Sequence, residues 1–238
     1  MRSLLLAIIL SATCSAQSQL GDILKKADEA LNQRNVSSLS NDKIIAGLKQ
    51  ALQVSTGKAV ATTGKPDGFL KNEAIKILLP PKLQTVGKGM RMLGMGAQVD
   101  ELEVGMNRAA EQATPYAKQI FLNAVKKMTF DDARRILTGG DTAATEYFKR
   151  QSSADLTTAF TPIVKQAMQR VGVVQQYNRV LETAPGGSAL AGQFDLNKYV
   201  VGKTLDGLFF MLGEEEKKIR KDPAAQTTAL LKEVFGAK

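Results

Sequence analysis

The strongest fold signal in the chain is residues 195–236, DLNKYVVGKTLDGLFFMLGEEEKKIRKDPAAQTTALLKEVFG. Asp195 is a residue type that caps helices, because its carboxylate accepts hydrogen bonds from the free N–H groups of the first turn. The apolar residues that follow would cover every side of a helix: Leu205, Leu208, Phe209, Phe210, Met211 and Leu212. A helix of a globular protein is apolar all round only where other elements surround it. This stretch therefore predicts a central helix that is buried on all sides.

The charged run EEEKKIRK at residues 214–221 predicts that the far end of this helix projects into water. Glu214 with Lys218, and Glu216 with Arg220, stand four residues apart in the favourable acid-before-base order. The dipeptide at residues 222–223, Asp-Pro, is a helix-start signal, and a further helix is expected from there to residue 236. The two helices together predict a buried C-terminal hairpin.

The first sixteen residues have the order of a secretory signal peptide: Arg2, an apolar run at residues 4–10, and then small residues. Cleavage after Ala16 is expected, which makes the protein exported and periplasmic with Gln17 as its first residue. The alternative is lipid attachment at Cys14, which would anchor the protein to a membrane. The apolar run is shorter than the ~20 residues that span a bilayer, and no transmembrane helix is predicted.

Composition limits both the architecture and the chemistry. Cys14 is the only cysteine and the chain has no histidine, so no intramolecular disulfide, thiol nucleophile, catalytic triad or common zinc site is available. Residues 17–238 are long enough to form one helical domain that is stabilised by its own core. No cofactor and no catalytic residue is predicted.

Apolar residues recur at helical spacing through most of the chain, and period-two alternation is essentially absent. About ten helices are expected, the first from Leu20. The signals for the starts and interruptions of the middle helices are Pro81, Thr114-Pro115, Thr129 with Asp132, Asp141, Ser152 with Asp155, and Thr161-Pro162. The pattern predicts an all-α, single compact multi-helix domain with the C-terminal helix at its centre.

Residues 69–80, FLKNEAIKILLP, are too short and interrupted for a helix prediction. Extended chain and a two-stranded ribbon are both compatible with this segment. In either case Ile75, Ile77 and Leu78 are expected to be buried.

Residues 43–91 carry nine basic residues and only two acidic ones, within a chain of formal net charge +9. Export makes nucleic acid an unsuitable partner, so anionic envelope lipids or polymers are the candidate ligands. The candidate anion-contacting residues are Lys49, Lys58, Lys65, Lys71, Lys76, Lys82, Lys88 and Arg91. The alternative is a solvated basic surface that only aids solubility.

Three other patterns have a functional interpretation. The carboxylates Asp131, Asp132, Asp141 and Glu214–Glu216 are the candidates for an enzyme, although each also suits a helix start or an ion pair. The sequence Gly202-Lys203-Thr204 mimics the end of a phosphate-binding loop but lacks its first glycine, since residue 197 is Asn. The methionines Met90, Met92, Met95 and Met106 either line an adaptable hydrophobic pocket or fill an irregular core.

Several segments in order resemble one known family: SNDKIIAGLKQAL at residues 40–52, KPDGFL at 65–70, GGDTAATEYF at 139–148, and LDGLFFML followed by EEEKKIRKDPA. They are similar to a bacterial family of exported proteins defined by a domain of unknown function, number 4197. The resemblance covers residues 37–236. It implies an α-helical envelope domain, sometimes lipidated, and it transfers no catalytic or binding residue.

The function expected from the sequence is that of a non-enzymatic periplasmic helical domain that binds an anionic or hydrophobic envelope component. The alternative is a carboxylate-dependent enzyme with acids near Asp131, Asp141 and Glu214. The two differ in where the acids lie: convergence in one cleft favours the enzyme, and positions scattered over helix starts favour the binding protein.

Overall fold

A computed structural model describes residues 41–170, 172–183 and 194–222 of the chain, and the regular secondary structure in these ranges is helical. The elements are α1 (Asn41–Gly64), α2 (Pro81–Met92), α3 (Gly96–Ala113), a 3₁₀ turn (Thr114–Tyr116), α4 (Ala117–Lys127), α5 (Phe130–Thr138), α6 (Ala143–Arg170), α7 (Val173–Thr183) and α8 (Leu196–Lys221). These described ranges contain no β-strand. The predicted all-α class is confirmed.

The predicted number of about ten helices is not matched, because the described residues form eight α-helices. The helix expected from Leu20 and the one expected over residues 223–236 lie outside the described residues, and so does the outer arm of the C-terminal hairpin. Among the helices that are described, none is long and apolar enough to cross a membrane.

One hydrophobic core joins the helices, and α8 packs in it against α6 and α1. Phe209 of α8 meets Phe121 of α4 edge-on, with ring centroids 6.0 Å apart, and Phe121 meets Phe148 of α6 at 5.2 Å. Such edge-to-face pairs contribute about 0.5–1.5 kcal/mol each beyond the burial of their area. These rings fix α8 against two of its neighbours.

The prediction that this helix is buried on all sides is wrong. Phe210 is 47% exposed, and Lys203 and Asp206 are also exposed. Residues three and four positions apart share one face of a helix, so these residues form a stripe along α8 that reaches solvent. The faces of α8 that carry Val200, Leu208 and Leu212 pack into the core.

The prediction that the charged end of α8 projects into water holds only in part: Lys218 and Lys221 are exposed, but Glu215 and Glu216 are buried. Glu216 pairs with Arg220 at 2.9 Å, as the spacing predicts. Glu214 pairs with Lys217 at 2.8 Å instead of with the residue four positions on. Spacing along one helix identifies such pairs, but it does not show which side of the helix packs against the rest of the protein.

Glu216 is buried because it caps the start of α6. Its carboxylate accepts hydrogen bonds from the N–H groups of Ala144, at 2.9 Å, and Thr145, at 2.8 Å, and from the Thr145 hydroxyl at 2.8 Å. The first N–H groups of a helix have no partner within the helix, and the helix dipole favours negative charge there. Asp141, the predicted cap, instead forms an ion pair with Lys221.

The start signal at Ser152 and Asp155 is also wrong, because α6 runs unbroken through it. Ser152 is buried, and its hydroxyl donates a hydrogen bond to the carbonyl oxygen of Phe148, one turn earlier. A serine that bonds back to its own helix has its hydroxyl engaged and does not cap a new one. The sequence pattern alone does not distinguish these two uses.

The predicted interruption at Thr161-Pro162 is wrong for a related reason. The Thr161 hydroxyl donates to the carbonyl oxygen of Thr157 at 2.7 Å, within the same helix. Pro162 lies on an exposed face of α6, and so does Thr158, the residue whose carbonyl loses its N–H partner to the proline. The helix therefore continues past the proline.

The two remaining threonine signals differ in outcome. Thr114 does not cap α4, because it lies in the 3₁₀ turn with its buried hydroxyl donating to the carbonyl oxygen of Ala110 at 2.9 Å. Thr129 does cap α5, and it forms the predicted capping box with Asp132. Asp195 likewise caps α8 by accepting a hydrogen bond from the N–H of Lys198 at 3.0 Å.

The connection between α1 and α2, residues 65–80, forms turns and then irregular chain rather than a ribbon. Ile75 and Ile77 are buried as predicted. Leu78 is 49% exposed, contrary to prediction, and Leu79 is buried instead. In extended chain neighbouring side chains point in opposite directions, so the burial of Leu79 leaves Leu78 outside.

One face of α3 supplies the hydrogen-bond partners of this connection. The pairs are Glu111 with the N–H groups of Phe69 and Leu70, Asn107 with both backbone groups of Ile77, and Glu103 with the N–H of Leu79. The three α3 residues are spaced four apart and so share one side of the helix. Irregular chain can be buried only where its backbone polar groups find such partners.

Candidate functional site

The eight predicted anion-contacting residues lie on three parts of the structure. Lys49 and Lys58 belong to α1, Lys65, Lys71 and Lys76 to the connection, and Lys82, Lys88 and Arg91 to α2. The two lysines of α1 are nine residues apart, which places them about 180° apart around the helix. By contrast, Lys88 and Arg91 line the same cleft beside α2.

Two of these basic residues are already neutralised by acidic neighbours. Lys71 pairs with Asp67 at 2.8 Å, and Arg91 pairs with Asp100 and, at 3.7 Å, with Glu103. The pKa of Asp67 is held below its usual value by a hydrogen bond from Lys71 and, to a smaller extent, by one from Arg108. An ion pair of this kind reduces the attraction that the basic residue exerts on an external anion.

The end of α2 is held in a fixed shape by a Schellman motif. The N–H of Met95 donates to the carbonyl oxygen of Met90 at 2.9 Å, and the N–H of Gly94 donates to that of Arg91 at 3.1 Å. Gly94 has a φ of +78°, a left-handed conformation that glycine adopts without strain. The two residues before it, Met92 and Leu93, therefore occupy a defined turn.

Large apolar side chains are exposed at this turn. Met92 is 88% exposed and Leu93 63% exposed. Leu78 lines a cleft of about 220 Å³ together with Lys88 and Arg91. We call Leu78, Lys88, Arg91, Met92 and Leu93 the α2 tip. Apolar groups that are exposed together beside basic groups are typical of a surface that contacts a partner.

The predicted methionine cluster does not form a pocket. Met90 and Met106 are fully buried in the core, and Met95 is partly buried against it. Met92 faces solvent on the opposite side of α2 from Met90, about 160° away around the helix. Three of the four methionines therefore lie in or against the core, which favours the core interpretation over the pocket.

The predicted acidic residues do not converge on one cleft. Asp132 belongs to the capping box, Asp141 pairs with Lys221, and Glu216 caps α6. The hydrogen bond from the Thr129 side chain lowers the pKa of Asp132, and that from Lys221 lowers the pKa of Asp141. In the described part of the chain, no group of three or more acidic or thiol side chains is arranged to hold a metal ion.

The phosphate-loop mimic at residues 202–204 lies inside α8. Thr204 is fully buried, and its hydroxyl donates to the carbonyl oxygen of Val200 at 2.7 Å. Lys203 pairs with Asp206 at 3.2 Å. A phosphate site requires a loop whose N–H groups are free, and here they belong to a helix interior.

A second surface, which the sequence prediction missed, surrounds Phe210 on the exposed stripe of α8. Two clefts meet there and share Asp206 and Phe210 as lining residues. One extends to α6 and has a volume of about 270 Å³; the other extends to residues 74–76 and has a volume of about 250 Å³. The available signal was the spacing of Lys203 and Asp206, which places both charges on one face of the helix, with Phe210 one turn further along the same face.

Comparison with known proteins gives a family but no characterised relative. No curated protein and no solved structure matches the chain. One family model, described as a protein of unknown function (DUF4197), matches residues 38–236. This match covers most of the sequence, including every residue of both surfaces described above, and the chain therefore belongs to the DUF4197 family.

Proposed function

We propose that this protein is a non-enzymatic helical domain of the cell envelope that binds anionic lipid surfaces through the α2 tip. The observation that supports the proposal most directly is the exposure of Met92 and Leu93, 88% and 63%, beside Lys88. A surface that combines exposed apolar side chains with basic ones suits the boundary between lipid head groups and acyl chains.

The apolar contribution comes from moving Met92 and Leu93 out of water. Full burial of a side chain of this size is worth about 1.5–3 kcal/mol, and insertion at the head-group boundary realises part of this. The Schellman motif already fixes the turn, so little conformational entropy is lost on binding.

The electrostatic contribution comes from lysines near the surface. Each basic residue close to an anionic leaflet contributes about 1 kcal/mol, and the formal net charge of +9 adds a long-range attraction. Lys88 contributes more than Arg91, whose charge is compensated by Asp100 and Glu103. The binding is therefore reversible and salt-dependent.

Sedimentation with vesicles tests the proposal. The protein is expected to co-sediment with vesicles that contain phosphatidylglycerol and to remain in the supernatant with pure phosphatidylcholine. High salt is expected to weaken the binding, because the screening length falls from about 10 Å at 0.1 M to 3 Å at 1 M. The double variant Met92→Glu, Leu93→Glu is expected to abolish it.

Two matched controls accompany this experiment. Tyr116→Glu introduces a charge at a residue that is 58% exposed but lies outside the α2 tip, and it is expected to leave binding nearly unchanged. Lys88→Glu is expected to weaken binding several-fold more than Lys58→Glu, although both change the net charge equally. Equal loss in both lysine variants would contradict a specific role for the α2 tip.

The envelope location is a separate part of the proposal and rests on the signal-peptide pattern at residues 1–16. N-terminal analysis of the exported protein is expected to give Gln17. A diacylated Cys14 would instead show that a lipid anchor holds the protein at the membrane, with the α2 tip as a second contact.

A further inference from the structure

Met92 is the most exposed apolar side chain of the α2 tip, and its sulfur can be oxidised. Its exposed fraction is 88%, against 63% for Leu93 and 49% for Leu78. A methionine thioether is apolar and flexible, whereas the sulfoxide that oxidants form from it is polar. The chemical state of this one sulfur therefore determines whether the tip is apolar at its most exposed point.

The other methionines in the described ranges are far less accessible to an oxidant. Those buried in the core are Met90, Met106, Met128 and Met168. Met95 and Met211 are partly buried and pack against the core. The sulfur of Met211 also accepts a hydrogen bond from the side-chain amide of Asn72 at 3.5 Å. Because oxidation follows exposure, Met92 is expected to react first.

Few other kinds of side chain compete with methionine for such an oxidant. Thiols react readily with it, but cysteine occurs only at position 14, and the chain has no histidine and no tryptophan. Cleavage after Ala16 would remove this thiol, and lipid attachment would block it. Met92 then carries the most exposed sulfur in the described part of the exported chain.

Oxidation of Met92 is expected to leave the fold intact. Nearly all of this side chain is in water, so it makes little packing that an added oxygen atom could disturb. The Schellman motif that shapes the turn consists of backbone hydrogen bonds, which the reaction does not touch. An oxygen atom on Met90 or Met106 would instead place a polar group in the core. A reaction at Met92 therefore acts on binding and not on folding.

We propose that Met92 is an oxidation site through which hydrogen peroxide releases the protein from an anionic lipid surface, an inference that rests on the proposed function of the α2 tip. The sulfur lone pair attacks one peroxide oxygen, a sulfur–oxygen bond forms and the O–O bond breaks. The displaced hydroxide takes the proton of the transferred oxygen and leaves as water. The sulfur loses two electrons and the peroxide gains them. The polar sulfoxide resists leaving water, so the tip loses the apolar contribution of its most exposed side chain.

Peptide mass spectrometry after mild peroxide treatment of the exported protein tests which sulfur reacts. Sulfoxide is expected to form at Met92 at least about tenfold faster than at Met90 or Met106. In urea that unfolds the protein, the rates at the three positions are expected to become similar, because burial is what protects the other two. Reaction at Met90 as fast as at Met92 in the folded protein would overturn the assignment.

Vesicle sedimentation tests what the oxidation does. The oxidised protein is expected to bind phosphatidylglycerol vesicles about tenfold more weakly than the untreated protein, with its helical circular dichroism and unfolding midpoint retained. Reductases for the two sulfoxide epimers, supplied with a thiol reductant, are expected to restore binding. In that step two thiols become a disulfide, the thioether forms again and the oxygen leaves as water.

Three variants show whether the effect belongs to this sulfur. Met92→Leu keeps an apolar side chain but has no sulfur at the tip, so peroxide is expected to leave its vesicle binding at the level of the untreated variant. Met95→Leu removes a partly buried sulfur nearby, and its binding is expected to weaken on oxidation as the wild type does. Met92→Gln, with a neutral polar side chain, is expected to bind about as weakly as the oxidised wild type. A peroxide-dependent loss of binding in Met92→Leu would overturn the proposal.

The lipid function and its control by oxidation fail in different ways. Untreated wild-type protein that ignores phosphatidylglycerol vesicles overturns the proposed function, and the release with it. Untreated protein that binds, and binds equally well once Met92 is the sulfoxide, overturns the release alone and leaves the lipid function standing. Loss of binding together with a lowered unfolding midpoint would also overturn the release, because it would place the damage in the core.

Discussion

Two adjacent phenylalanines show how position on a helix determines the role of a residue. Phe209 is 6% exposed and packs on Phe121, whereas Phe210 is 47% exposed and lies where two surface clefts meet. Phe209→Ala is expected to lower the free energy of unfolding by about 3–5 kcal/mol because it leaves a cavity in the core. Phe210→Ala is expected to cost under about 1 kcal/mol. Urea denaturation measures both, and a loss of similar size in the two variants would contradict these assignments.

Gly207 is required by its neighbours and not by its backbone conformation. A Cβ at this position would lie 2.6 Å from the Phe69 ring and 3.1 Å from Cβ of Ile75. Gly207→Ala is therefore expected to destabilise the protein by about 1–3 kcal/mol, although alanine favours helix. At Gly202, also within α8, nothing lies within 4 Å of the added carbon. Gly202→Ala is expected to raise the free energy of unfolding by up to about 1 kcal/mol. Urea denaturation measures both variants, and a change of the same sign in the two would exclude the steric explanation.

Glu216 joins two elements, the start of α6 and the end of α8. Its carboxylate accepts hydrogen bonds from Ala144 and Thr145 and pairs with Arg220. Glu216→Ala is expected to cost about 3–5 kcal/mol, because it leaves Arg220 buried without this partner and removes the cap of α6. The control Asp206→Ala breaks an exposed pair and is expected to cost under about 1 kcal/mol.

Hydrogen exchange locates the effect of this variant. In Glu216→Ala the amides of Ala144 and Thr145 are expected to exchange faster, since their hydrogen-bond acceptor is gone. Amides at the far end of α6 are expected to keep their protection. Unchanged exchange at residues 144 and 145 would show that the carboxylate does not act as the cap.

The elements that local chemistry determines were predictable from the sequence. Thr129 with Asp132, and Asp195, each mark a helix start that the structure contains, because the groups that they cap lie within one turn. Pro81 marks another, because its fixed φ suits the first position of a helix and its missing N–H is not needed there. The start signal at Ser152 failed because its hydroxyl bonds back to its own helix. The role of Glu216 depends on a partner more than seventy positions earlier in the chain, and no local spacing encodes such a contact.

The candidate surfaces were predictable only in part. The charge excess over residues 43–91 includes Lys88 and Arg91 of the α2 tip. The nine-residue spacing of Lys49 and Lys58 indicates that they point in opposite directions on a helix, but sequence alone does not show that Asp100 neutralises Arg91. Phe210 was assigned to the core because its neighbours in α8 are apolar. Which residues of an apolar stretch remain exposed depends on how completely the other elements surround the helix, and this is a property of the whole fold.

For the whole molecule, the charge composition predicts how stability depends on pH. The chain has no histidine, so no side chain with an ordinary pKa titrates between about pH 5 and pH 8. The pKa values of Asp67, Asp132 and Asp141 are lowered in the folded protein, by hydrogen bonds from Lys71, from Thr129 and from Lys221 respectively. A carboxyl whose pKa is lower in the folded than in the unfolded state contributes stability above its unfolded pKa of about 3.9, and this contribution is lost as the pH falls through the folded value.

The free energy of unfolding is therefore expected to be nearly flat from pH 8 to pH 5 and to fall steadily below about pH 4. Urea denaturation at a series of pH values measures this curve. Asp132→Asn is expected to lower stability at pH 7 and to make the decline below pH 4 shallower, because the amide does not titrate and the capping box loses its carboxylate. Asp131→Asn, at an exposed neighbour outside the capping box, is the control and is expected to leave the slope nearly unchanged. A marked fall in stability between pH 8 and pH 5 would contradict the assignment of the acid response to these carboxylates.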